Sequence, residues 1–218
     1  MMKENLHVVS EQQPYSWIQK ADFLPDIQFP WDDVSVAPKI NVRFQMYIKW
    51  KRLKRLDLDY FSGTPIISEK FADLCKEQGV SCQLVPLDIF LNGNRVDDKF
   101  YFLLLNKFLS IIDMEKTPHV RMMTVDGKNY EINKFFPEIP CYDMVKNIVP
   151  NDLERHPFFM APEIGYERVC TQSFKEFVEK KGVKGIKFLP IDDSFEYKSL
   201  GYNPKFVATP QGWVRVSE

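Results

Sequence analysis

Hydrophobic and polar positions alternate most strictly between Ile40 and Trp50. Ile40, Val42, Phe44, Met46, Ile48 and Trp50 interleave with Asn41, Arg43, Gln45, Tyr47 and Lys49. Period two over that length predicts a strand with one buried face. A different pattern follows Ser68. Phe71, Leu74 and Cys75 recur at i, i+3, i+4 spacing, Ser68 can cap the helix they define, and Gly79 can stop it. Thr171 caps a second predicted helix in the same way, ending at Lys181-Gly182.

Phe100 to Leu105 is almost continuously apolar, which suits a central strand covered on both faces. Leu84 to Leu87 and Gly185 to Ile191 read as strands, and Asn92-Gly93 as a turn. Leu109 to Met114 continues or follows the apolar run. Asp126-Gly127 stands between Val120–Val125 and Lys128–Ile132, a strong hairpin signal. Residues 134–165 carry Pro137, Pro140, Pro150, Pro157 and Pro162, so loops are expected there, with one short element near Asp143 to Val149. The tail from Ser194 is read as loop with an edge strand at Trp213 to Val216.

Residues 1–39 lack periodicity and hold Pro14, Pro25, Pro30 and Pro38. They are read as an irregular segment packed through Trp17, Phe23, Phe29 and Trp31 on a single α+β domain spanning 40–218. The fold class expected is α+β, with a mixed, largely antiparallel sheet and flanking helices.

The two capped helices open similar units. Ser68, Phe71, Gly79 and Pro86 in the first correspond to Thr171, Phe174, Gly182 and Pro190 in the second. The offset is 103 from cap to glycine and 104 at the proline. In each, a hydroxyl caps the helix, glycine permits the left-handed exit, and a short apolar strand reaches a proline. Such a match arises by pseudo-symmetry or by convergence on common caps.

Composition narrows the chemistry. Of 218 residues only 9 are glycine, which disfavours a phosphate-cradling loop. The net charge of -1 demands neither a nucleic acid nor a membrane as partner. No apolar run is long enough to span a bilayer, and the polar N-terminus lacks a signal segment. Cys75, Cys82, Cys141 and Cys170 form no C-x-x-C pair. Reduced thiols and a cytoplasmic location are therefore expected.

The catalytic motifs of serine hydrolases, zinc proteases and nucleotide-binding enzymes are missing. No two of His7, His119 and His156 share a helical face. A Cys141–His156 pair assembled in space, or the carboxylate pairs Asp32-Asp33, Asp97-Asp98 and Asp192-Asp193, would be needed for a hydrolase. Inert buried cysteine and solvated turns are the commoner outcomes. No cofactor or metal is expected. The basic run Lys49, Lys51, Arg52, Lys54 and Arg55 reads as a solvated strand end, with contact to an acidic protein partner as the second reading.

The order of these segments resembles a known family. Leu56 to Phe61 precedes Pro65-Ile-Ile-Ser68 and its helix. Val85-Pro-Leu, Tyr101 to Asn106 and Ile111 to Lys116 follow, then Val169 to Phe174 and Gly182 to Pro190. This is similar to the MXAN-type immunity proteins of bacterial polymorphic-toxin systems, across roughly Ile40 to Asp192. The resemblance implies a binding inhibitor that neutralises a cognate protein toxin in the cytoplasm of the producing cell. It implies no cofactor and no catalytic residues. A homodimer is compatible with it. The alternatives are a hydrolase-type enzyme and an adaptor or chaperone for a secreted effector. Asp192, Asp193, Phe195, Glu196, Tyr197 and Lys198 are the candidate partner contacts, because they mix aromatic anchors with charge. Phe195 and Tyr197 folding back onto the core is the equal alternative.

Overall fold

The computed structural model describes residues 5–11, 21–24, 43–61, 65–151, 156–200, 202, 206–209 and 212–215. In chain order its elements are β1 (Leu6–Glu11), β2 (Ala21–Leu24), β3 (Phe44–Ile48), β4 (Tyr60–Phe61), β5 (Ile66–Ser68) and α1 (Glu69–Glu77). Next come β6 (Cys82–Leu91), β7 (Asn94–Arg95), β8 (Phe100–Leu105), β9 (His119–Arg121), β10 (Tyr142–Lys146) and β11 (Phe158–Ala161). A single 3-10 turn at Pro162–Ile164 precedes β12 (Glu167–Thr171), α2 (Gln172–Lys180), β13 (Ile186–Pro190), β14 (Glu196–Lys198), β15 (Phe206–Thr209) and β16 (Gly212–Arg215). The fold is α+β, and its ladders are antiparallel except the pairing of β3 with β6.

Both helices begin and end as their sequences dictate. The hydroxyls of Ser68 and Thr171 accept from the N–H of Phe71 and Phe174, each at 3.3 Å. Gly79 and Gly182 leave the helices at φ +65° and +62°, a conformation that only glycine adopts without strain.

The internal echo is realised in three dimensions. In the seven-stranded sheet, of order β2-β3-β6-β8-β5-β4 with β7 on β6, strand β8 lies between β5 and β6 and antiparallel to both. In the four-stranded sheet, β11-β12-β1-β13, strand β1 lies between β12 and β13 in the same way. Each helix thus links two strands that run in one direction and are split by an inserted third, a split β-α-β unit. The register repeats as well. Ile67, Tyr101 and Pro86 align across the first unit, and Cys170, His7 and Pro190 across the second. His7 is therefore the counterpart of Tyr101.

The units share a core. Phe71 of α1 and Phe174 of α2 meet edge to face at 6.4 Å, and both contact Phe158. Tyr60, Val9, Ile67, Leu103, Cys170 and Val178 complete this layer. A second cluster fills the opposite face of the larger sheet through Phe44, Met46, Val85, Leu87, Ile89 and Phe102. A third covers the opposite face of the smaller sheet through Leu6, Val8, Val169, Phe159, Tyr142 and Val145. Asp59 ties the units together. Its carboxylate accepts from the Ser68 hydroxyl at 2.7 Å, from the Lys184 backbone N–H at 2.9 Å and from Lys70 at 3.3 Å.

Several expectations are corrected. The N-terminal stretch is not wholly irregular: β1 is an inner strand of the smaller sheet, and β2 pairs with β3. The side chains of Trp17, Phe23, Phe29 and Trp31, through which it was expected to pack, lie outside the described residues. The strand starting at Leu84 runs from Cys82 to Leu91, through Pro86. Pro86 sits one position before the β3 ladder begins at Leu87, so its missing N–H breaks no pairing there. Leu109 to Met114 forms no strand and makes only an isolated bridge, Ile112 to Pro150. The Asp126-Gly127 turn is present, with Gly127 at φ +68°, but its arms reduce to the single bridge Met123 to Tyr130. In the C-terminal tail the expected strand at Trp213 is found as β16, and among the described residues two further strands appear, β14 on β10 and β15 on β16.

Candidate functional site

The loop after β13 is built around Asp192. Its carboxylate accepts from the Ser194 N–H at 2.8 Å and from the Ser194 hydroxyl at 2.6 Å. The hydroxyl bond comes first in holding the Asp192 carboxyl below its usual pKa. Phe195 N–H closes the turn onto the Asp192 carbonyl at 3.0 Å. The chain then enters β14, which joins β10 and β9 in a three-stranded sheet of order β14-β10-β9.

Register decides which side chains this sheet offers. Tyr197, Val145 and His119 are directly opposite one another, and so are Lys198, Met144 and Val120. Directly opposed residues share a face. Val145 is fully buried in the third core cluster, so the first row points inward. Lys198, Met144 and Val120 consequently form the outer row, with the cross-strand pair Glu196 and Lys146 beside it. Glu196 and Lys198 also pair along β14 at 2.9 Å.

The six sequence-derived candidates divide accordingly. Asp192, Asp193, Glu196 and Lys198 are exposed. Phe195 and Tyr197 are half-buried and pack on the third core cluster. The Tyr197 ring lies so close to Gly165 that a methyl group there would meet it at 3.0 Å. Burial raises the Tyr197 phenol above its ordinary pKa.

Beyond β9 the chain continues into the 122–132 turn region, which sequence reading treated only as a fold element. Its turn is pinned. The Thr124 hydroxyl donates to the Asp126 carboxylate at 2.6 Å, and Thr124 N–H donates to the Asn129 carbonyl at 2.9 Å. Outside this frame stand Val125, 96% exposed, Ile132, 69%, and Tyr130, 52%. The Arg121 guanidinium stacks on the Tyr130 ring at 4.1 Å. Of six large hydrophobics exposed among the described residues, four (Val120, Val125, Tyr130 and Ile132) fall within residues 120–132, and Met114 and Leu200 lie elsewhere in the sequence. The available signal was Asp126-Gly127 flanked by apolar residues. It marks a hairpin without saying which side of it meets solvent.

The groups considered for catalysis are placed differently. Burial, followed by the Glu131 carboxylate, raises the Cys141 thiol, the opposite of what a nucleophile needs. Asp97-Asp98 and Asp192-Asp193 are exposed on turns, and Asp32-Asp33 lies outside the described residues. No group of three potential metal ligands occurs among the described residues. Two open clefts of about 410 Å³ flank Asp97–Phe100. Several of their charges pair with one another: Arg43 and Arg95 with Asp88, Lys99 with Glu69, and Lys70 with Asp59. Among the described residues no helix is long and apolar enough to cross a membrane.

A search of curated proteins finds no match to the chain. A family model does match, over residues 2–193, and so takes in β1 and β2, which the resemblance read from sequence had left out. The matched span includes both split β-α-β units and the whole 122–132 hairpin, and on that extent the chain belongs to the immunity protein family Imm11.

Proposed function

We propose that this immunity protein neutralises a cognate protein toxin in the bacterial cytoplasm by binding it, without catalysis, through the outer face of β14-β10-β9 and the adjoining 122–132 hairpin. One observation carries the reading: four of the six large hydrophobics exposed among the described residues lie within the thirteen residues 120–132, on β9 and that hairpin. An apolar turn at one edge of the sheet together with charges on its outer face (Glu196, Lys198 and Lys146) has the make-up of a protein contact. Tyr130, held under Arg121, is the anchor, and Ile132 adds apolar area. Phe195 and Tyr197 support this face from behind by fixing β14 against the core.

The test is co-expression with the product of the neighbouring gene, the expected toxin. The wild-type chain should abolish toxicity and co-purify with that product. Tyr130→Ala with Ile132→Asp should weaken the complex by roughly a hundredfold at an unchanged melting temperature. Co-purification without protection would instead describe an adaptor. Toxin affinity unchanged by both substitutions would remove the hairpin from the interface.

A further inference from the structure

A second exposed feature lies at the far end of β3. Lys49, Lys51, Arg52, Lys54 and Arg55 place five of the chain's 29 basic residues within seven positions, with no acidic residue among them. All five are exposed. A solvated strand end would account for charge alone, but this turn is also clamped. The Asn92 side-chain amide donates to the carbonyls of both Trp50 and Leu53, at 3.1 and 3.2 Å. The Asn92 backbone N–H donates to the Ile48 carbonyl at 2.8 Å, and Leu53 N–H closes the turn onto Trp50 at 2.9 Å. Asn92 reaches these groups from a left-handed conformation, φ +52°, a backbone state uncommon outside glycine and asparagine. From below, Trp50, Leu53 and Leu56 anchor the segment in the second core cluster. The cations are thus presented by a fixed scaffold, which lowers the entropy lost when a partner orders them.

The acidic groups that follow next in sequence are already engaged. Asp57 binds Arg55 at 2.9 Å and Lys184 at 2.6 Å, and Asp59 holds Lys70 and the Lys184 backbone. Lys184 first, then Arg55, keep the Asp57 carboxyl below its usual pKa. No such pairing engages Lys51, Arg52 or Lys54 among the described residues, so the turn projects net positive charge.

We infer that the Lys49–Arg55 turn is an electrostatic docking surface for an acidic patch on the protein toxin, separate from the apolar hairpin. This rests on the function proposed above. Charge complementarity selects the occupant, and among the described residues of the turn no exposed aromatic ring is offered, which separates it from a nucleic-acid site. Stacking on bases needs an exposed ring, whereas Trp50 is half-buried against the core. Contacts of this kind act mainly on association rate and on salt dependence.

The experiment measures toxin association and dissociation rates from about 50 mM to about 300 mM salt. It compares the wild-type chain with Lys51→Glu/Arg52→Glu/Lys54→Glu and with the milder Lys51→Gln/Arg52→Gln/Lys54→Gln. Arg55 is left intact because it pairs with Asp57. At low salt the charge-reversed chain should associate roughly 10- to 100-fold more slowly. The neutral variant should fall between, dissociation should change little, and the gap should close at high salt. If the charge-reversed chain folds poorly, the neutral variant alone still decides the matter. Wild-type rates and salt dependence in the variants would overturn the docking surface while leaving toxin binding standing. No complex with the wild-type chain would remove the proposed function and this surface together. A short DNA duplex captured by the wild-type chain and lost on charge reversal, with toxin association unchanged, would reassign the turn to nucleic acid.

Discussion

In the first split β-α-β unit the strand dividing β5 from β6 is β8, which follows β6 after one hairpin. In the second, the strand dividing β12 from β13 is β1, brought from the opposite end of the chain. The helices, caps, exit glycines and register are otherwise matched. Their surroundings differ too. Beyond β6 the larger sheet is extended by β3 and β2, whereas β13 ends its sheet. Tyr101 occupies the position filled by His7, which is buried and bonded through Nε2 to Gln172. One local recipe therefore serves two connectivities, and only the parts set by near neighbours in sequence repeat.

The comparison breaks most severely at the inserted strand. Deleting residues 1–11 removes β1 and leaves β12 and β13 without their common partner. The expected outcome is loss of a cooperative unfolding transition in circular dichroism. A truncated chain that still melted sharply would show that the first unit folds alone.

The shared aromatic core comes next. Phe71→Ala and Phe174→Ala each remove a fully buried ring at the helix–helix contact. Each should cost about 3–5 kcal/mol in denaturant unfolding, and the two costs should not add, because the rings touch. Clearly unequal costs would mean that one unit dominates the core.

In the shared core, alkaline pH should act through Tyr60. Tyr60 is fully buried in the shared core, and desolvation raises its phenol to about 12. A folded-state pKa above the unfolded value favours the neutral form in the native protein. The stability it adds is fully present below pH 10 and is lost as pH rises towards 12. The loss from Tyr60 should be on the order of 2 kcal/mol, and Tyr60→Phe should reduce the alkaline loss by that amount while leaving the share of Tyr142, which burial also raises to about 12, measured by urea unfolding along a pH series. The second unit supplies no tyrosine to this core.

The caps give the smallest effects. Thr171→Ala should cost about 1 kcal/mol. Ser68→Ala should cost about 2 kcal/mol, because its hydroxyl also donates to Asp59. Gly79→Ala and Gly182→Ala should each cost about 1 kcal/mol and should be equal, since a methyl group meets nothing within 4 Å at either site. Thermal melts resolve all four.

What could be read from sequence follows from the same distinction. Caps, exit glycines and helix faces were legible because their signals lie within a dozen residues. β3 and β8 were legible because alternation and an unbroken apolar run report burial on one face and on two. β1 was missed for the reason that makes it central. Leu6 and Val8 face one core cluster and Val9 another, so its apolar residues do not alternate. β11 was missed because Pro157 and Pro162 were taken to forbid structure, whereas they bracket a four-residue strand. At the candidate site, the composition of Asp192–Lys198 pointed to a turn and a strand, β14, that belong to the face proposed for the partner. The ladder that turns Phe195 and Tyr197 inward joins residues some fifty positions apart, a separation no local pattern encodes.

The placement of β1 also sets an order of events during synthesis. Strand β1 is made long before its seat exists, because residues 167–190 must emerge before both of its ladders can close. Until then Leu6, Val8 and Val9 stay solvated or shielded by a chaperone. A chain stalled before β13 would therefore hold β1 with one of its two ladders open and the smaller sheet incomplete.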